Sequence, residues 1–213
     1  MRAPCDISCR QSGFSMIEVL VTIIILLIGL LGLAGLMVQS QRSEVESYQR
    51  VQALILLKDM VGRINANRKV AGCYAFTPTA VPNPATSSTF LGTGSTVAPS
   101  CAAGSAVQNT QAVNDMKAWN TLLTGAAETS SGSNVGAMAG ARGCVSYGAG
   151  TELLDKNGVA IPGSGIYTIA VAWQGLSSTG IATPSCAQGL FGANDAQRRV
   201  VSLTLRTGSL TTL

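Results

Sequence analysis

The 213-residue chain contains no histidine. Histidine is the commonest general base and the commonest metal ligand, so its absence argues against hydrolase triads and zinc sites. Charge is also scarce, at 11% of residues with a formal net charge of +4, and the basic residues gather in nothing larger than a pair such as Arg198 and Arg199. A nucleic-acid footprint needs a basic stripe or a recognised motif, so no nucleic-acid partner is expected. No catalytic, cofactor-binding or metal-ligating set emerges from the residues, and the chain reads as a non-enzyme without a cofactor.

Charge is nearly missing from one stretch in particular. From Phe14 to Val38 only Glu18 is ionisable. As a helix these residues would span roughly 37 Å at the usual rise per residue, enough to cross a bilayer core of about 30 Å. Arg2 and Arg10 precede the stretch with only Asp6 against them, and this bias keeps the first residues cytoplasmic and sends the remainder outward. Glu18 is the anomaly. A carboxylate one turn inside an apolar helix is costly and marks a function with a specific partner, unless it lies at the interface and reaches water. An ordinary secretory signal is the competing reading, with Gly32, Leu33 and Ala34 as cleavage residues and a soluble chain starting at Gly35.

The run Gly13, Phe14, Ser15, Met16, Ile17, Glu18, Val19, Leu20 resembles the prepilin peptidase signal of type IV pilins and type II secretion pseudopilins. The resemblance implies a leader of residues 1–13 cut after Gly13, N-methylation of Phe14 as the first mature residue, and Glu18 at the fifth mature position. It also implies that Glu18 meets the N-terminal amine of an adjacent subunit during assembly, and that Cys5 and Cys9 leave with the leader. Partners would be a prepilin peptidase, the inner membrane before assembly, and other minor and major pilins afterwards. Gly29, Gly32 and Gly35 each cost roughly 1 kcal/mol of helix propensity relative to Ala. They offer either a close-packing face or, by the resemblance, a place where the helix loosens in a filament.

Beyond the transmembrane half at 14–38, an amphipathic half is expected over 39–67, where proline is absent. Ala53, Leu57, Met60, Val61 and Ile64 form an apolar stripe at helical spacing that should face a globular domain. Tyr48, Val51 and Ile55 lie opposite, consistent with burial in a filament core or within one subunit. The globular domain would occupy 68–213, with Pro-, Ser- and Gly-rich loops over 77–110 and 125–143. A helix is expected over 111–123, followed by strands at 143–147, 166–174 and 199–206. In the second strand Tyr167, Ile169, Val171 and Trp173 share one face, while Thr168, Ala170 and Ala172 face a neighbour or solvent. In the third, Val201, Leu203 and Leu205 should point inward. The fold class is therefore α+β, a long N-terminal helix whose second half packs on a C-terminal antiparallel sheet, and in the light of the resemblance it is pilin-like. The run from Tyr167 to Gln174, then Cys186, Arg198, Arg199 and a closing strand resembles PilV-type minor pilins. That implies a minor subunit helping to initiate or modify a type IV pilus, with a secretion pseudopilin as the alternative.

Four cysteines remain after the apolar block: Cys73, Cys101, Cys144 and Cys186. An even set in an exported domain suggests two disulfides with three possible connectivities. Sequential pairing is preferred, because Cys73–Cys101 would staple the Pro-rich loop and Cys144–Cys186 would hold the last strands. Arg198 and Arg199 read as a solvated strand start, or as a contact with an acidic neighbour in an assembly.

Overall fold

A computed structural model describes residues 13–78, 89–134, 136, 138–180, 182–183 and 185–208. The chain divides into two compact units, Met1–Glu44 and Val45–Leu213. In the first, the described residues after Ser15 are helical, part of helix α1, Met16–Ala66. Its apolar segment is long enough to cross a membrane and none of it is buried by the rest of the chain.

In the second unit, the continuation of α1 buries Gln49, Ala53, Leu56, Leu57, Met60 and Ile64. These positions recur at intervals of three and four, which places them on one face of a helix. Tyr48, Val51 and Ile55 on the other side are 46%, 51% and 54% exposed, so the chain itself does not cover them. A 3-10 turn, Arg68–Tyr74, follows α1. It leads towards a second helix, α2, Ala106–Leu123, which starts five residues earlier than the periodicity suggests. The reason is local: the Ser105 hydroxyl accepts from the Gln108 amide while the Gln108 side chain accepts from the Ser105 amide. This reciprocal cap satisfies two donors that a helix start leaves open.

Strands β1 (Leu91–Gly92), β4 (Arg142–Gly148), β5 (Ile166–Gln174) and β6 (Arg198–Arg206) form an antiparallel sheet in the order β1-β4-β5-β6. Two further short strands, β2 (Thr129–Ser130) and β3 (Ser133–Asn134), make a separate hairpin. The segments expected as loops thus contain more structure than their composition suggests. Residues 77–110 include β1 and the first turn of α2, and 125–143 includes the small hairpin and the start of β4. Pro82 and Pro84 lie outside the described residues.

The main core lies between one face of the sheet and the two helices. Val145, Tyr167, Ile169, Val171 and Trp173 meet Leu57, Met60 and Ile64 of α1 and Met116, Trp119 and Leu123 of α2. Gly143 belongs to this face, and a Cβ there would collide with the Trp119 indole and Leu123. The closeness of α2 to β4 therefore requires glycine at this position. Leu203 corrects the inward alternation expected for β6: it is 37% exposed. It sits mid-way along an outermost strand, opposite Ile169, while Val201 and Leu205 on either side pack against the core.

The other face of the sheet is not left to solvent. Ala170 and Ala172 join Phe90, Cys144, Cys186, Ala187 and Phe191 in a second, smaller core. Their small side chains let an irregular segment approach closely, and the Cys144–Cys186 disulfide ties that segment to β4.

Candidate cleavage and assembly segment

Gly13, Phe14 and Ser15 precede α1 without regular structure. Among the described residues beyond its chain neighbours, no atom lies within 4 Å of where a Gly13 side chain would stand, and Phe14 is 84% exposed. The Ser15 carbonyl starts the helix by accepting from the amides of Glu18, at 3.0 Å, and Val19, at 3.3 Å. The peptide bond between Gly13 and Phe14 therefore lies outside the hydrogen-bonded helix.

Glu18 occupies the first turn of α1. A negative charge there meets the positive end of the helix macrodipole, a favourable placement within the first turn. Downstream, Ile23 to Leu36 leave their apolar side chains 47% to 73% exposed. Beyond their own stretch of helix, Gly29, Gly32 and Gly35 have no atom of the described residues within 4 Å of an added Cβ. So large an uncovered apolar surface needs lipid or other helices around it. Arg2, Cys5, Asp6, Cys9 and Arg10 lie outside the described residues.

The four cysteines after the apolar block pair as Cys73–Cys101, with sulfurs 2.03 Å apart, and Cys144–Cys186, at 2.09 Å. The first bridge links the turn after α1 to the approach to α2. The second joins β4 to the segment covering the back of the sheet. Cys144 and Cys186 are buried, while Cys73 and Cys101 are partly exposed.

The paired arginines depart from a solvated strand start. Arg198 is 1% exposed; its Nε donates to Asp195 Oδ2 at 2.8 Å, and its Nη atoms donate to the carbonyls of Cys186 and Ala182. Asp195 in turn accepts from the amides of Gly189 and Phe191. A buried charge persists only when paired and hydrogen-bonded, and here both conditions are met by the loop that covers the second core. Arg199 meets an acidic residue of its own chain: Nη2 lies 3.1 Å from Glu46 Oε1, with further bonds to Ser177 and Thr179. Glu46 also accepts from the Leu176 amide and the Ser177 hydroxyl, so it ties α1 to the turn after β5.

A groove of about 500 Å³ lies between the end of α1 and α2, lined by Lys58, Arg63, Asn67, Val107, Gln111 and Asp115 among others. Its buried carboxylate, Asp115, accepts from Arg63, Gln111 and the Tyr74 hydroxyl. Those bonds fix it as a structural hub joining α1, the 3-10 turn and α2. Burial, followed by the bond to Asp115, raises the Tyr74 phenol well above its ordinary range. Neither this hub nor the Glu46 link is singled out by the sequence, because polar residues on helix flanks carry no periodic signal.

Residues 8–34 match the family described as the prokaryotic N-terminal methylation motif. No curated protein and no solved structure matches the chain. The matched segment holds Gly13, Phe14, Glu18 and most of the exposed apolar run, and it implies processing by a prepilin peptidase and association with pilin partners. The chain thus carries a prepilin-type signal ahead of a pilin-like α+β architecture, which supports a type IV pilin-like or pseudopilin-like precursor.

Proposed function

We propose that the chain is a minor structural subunit of a type IV pilus that helps initiate or modify pilus assembly. On this reading a prepilin peptidase cuts after Gly13, Phe14 becomes the N-methylated terminus, and α1 holds the mature protein in the inner membrane with the Val45–Leu213 unit outside the cytoplasm. The subunit then moves into the filament, where neighbouring helices replace lipid around the residues from Phe14 to Val38. It acts by packing rather than by catalysis.

The observation that carries the reading is the juxtaposition of an exposed Gly13–Phe14 junction, Glu18 in the first helical turn, and an apolar helix left wholly uncovered by its own chain. A monomeric anchor would explain the helix but has no use for an ionisable group within it. Deleting the gene and complementing it, while scoring surface pili and type II secretion separately, tests the assignment. Loss of pili with secretion intact is the expected result. Loss of secretion with pili intact would assign the chain to the secretion pseudopilins instead.

A further inference from the structure

Arg142 is the first residue of β4 and points to the face of the sheet that carries the second core, beside Ala172 and Val200 of the neighbouring strands. Its guanidinium carbon lies 5.3 Å from the centre of the Phe90 ring and 4.8 Å from that of Phe191. Both rings are buried, at 5% and 2% exposure. One of its five N–H donors is used on the Gly140 carbonyl, at 3.2 Å, while Nε is buried without a hydrogen-bond partner among the described residues. Among the described residues the ion pairs engage Arg63, Arg198 and Arg199, and no carboxylate pairs with Arg142. Burial alone, with no anion to offset it, lowers its pKa.

A guanidinium held over aromatic faces is positioned and partly desolvated, yet its charge has no counter-ion. The ring faces compensate it only in part, less than a well-formed charge-assisted fork to a carboxylate does, because each such hydrogen bond is about twice as strong as a neutral one. The residue is not sealed off, since it retains partial exposure. The Nη edge of the planar fork is the part suited to engage two oxygens of one anion. A structural arginine such as Arg198 shows the contrast, with a carboxylate and two carbonyls supplied by its own chain.

We infer that Arg142, framed by Phe90 and Phe191, is a receptor for a carboxylate group that comes from outside the chain. The source is either an acidic side chain of an adjacent subunit or a free carboxylate ligand; the first source rests on the filament reading above.

The test is arginine-directed labelling with phenylglyoxal, read peptide by peptide by mass spectrometry and normalised to Arg206, which is exposed and donates through Nη1 to the Ser164 carbonyl. Full-length protein extracted in detergent is labelled alone and with added sodium acetate or sodium glutarate, and sheared filaments are labelled in parallel. Labelling of Arg142 in the free protein, falling about tenfold in filaments, assigns the carboxylate to a neighbouring subunit. The same fall with acetate or glutarate in the free protein assigns a small carboxylate ligand. Undiminished labelling in both arms overturns the inference, and so does an Arg142 that never reacts. Absence of the protein from sheared filaments defeats the filament reading, and the acetate and glutarate arm then decides the site alone. Arg142→Lys keeps the charge but loses the planar fork, and it should lower the amount of protein recovered in sheared filaments without lowering thermal stability as far as Arg142→Met. Equal effects of the two substitutions on both readouts would mark a purely structural arginine.

Discussion

The indole N–H of Trp173 donates to Gln49 Oε1 at 3.2 Å, a buried hydrogen bond between β5 and α1 across 124 positions of sequence. Gln49 is 4% exposed and Trp173 is 3% exposed. The bond sets the rotation of α1 against the sheet, because one polar pair inside an apolar face can be satisfied in only one register.

Gln49→Leu should therefore destabilise the protein although it adds apolar surface. It strands a buried indole N–H at a cost of about 1 to 3 kcal/mol. Thermal melts of the detergent-solubilised chain followed by circular dichroism would show the loss, and an unchanged midpoint would mean that Trp173 has another partner.

Asp195→Ala is expected to cost about 3 to 5 kcal/mol, the usual consequence of leaving a buried charge alone. Here Arg198, the second largest fully buried side chain, is the charge left behind. Replacing both residues with apolar ones should cost less than the sum of the single changes, as expected for groups that share one network. Additive losses in the same melts would show that the two residues act independently.

Alkaline pH should weaken the fold through Tyr167. Burial, then the nearby Tyr147 and Glu152, pushes its phenol up to about 12, against about 10 in an unfolded chain. A pKa raised on folding means that the folded state holds the proton more tightly. The stabilisation is thus complete below about pH 10 and is lost as pH rises through about 12. Urea midpoints should stay level at neutral pH and fall over that alkaline window, and Tyr167→Phe should flatten part of the fall. An identical slope in the variant would rule the residue out as the cause.

Glu18→Ala is expected to leave membrane insertion and cleavage after Gly13 intact, because the helix remains apolar and the junction at Gly13 and Phe14 is untouched. Mature protein should accumulate in the membrane fraction with little in sheared filaments. Incorporation at the wild-type ratio to the major subunit would remove the assembly role proposed for this carboxylate.

The packing of α1 on the sheet is legible in the sequence because two periods coincide with two elements: three and four along Ala53, Leu57, Met60 and Ile64, and two along Tyr167, Ile169, Val171 and Trp173. Gln49 continues the same stripe but is polar, so a hydrophobic pattern begins one turn too late. The early start of α2 is written in Ser105 and Gln108, a capping signature that apolar periodicity does not register. The second core is hidden for a different reason. Its cover is irregular chain, with Ala187, Asn194 and Asp195 at positive φ, and such geometry has no sequence period. Arg198 looks solvated in a linear reading because its burial depends on where that irregular segment places Asp195. At the candidate site, Gly13, Phe14 and Glu18 are legible as residue types in order. The fold adds only their exposure, because the proposed partners of Phe14 and Glu18 belong to other molecules.

The bond between Glu46 and Arg199 spans 153 positions of sequence. At a synthesis rate of roughly 5 to 20 residues per second, the helix acid waits about 8 to 30 s for its arginine to be made. For most of that interval, until Ile166 is made, the amphipathic half of α1 has neither β5 nor β6 to cover it. A nascent chain is therefore most vulnerable to proteolysis and mispairing before these two strands emerge, and a premature stop codon ahead of Arg198 would leave part of that vulnerability permanent.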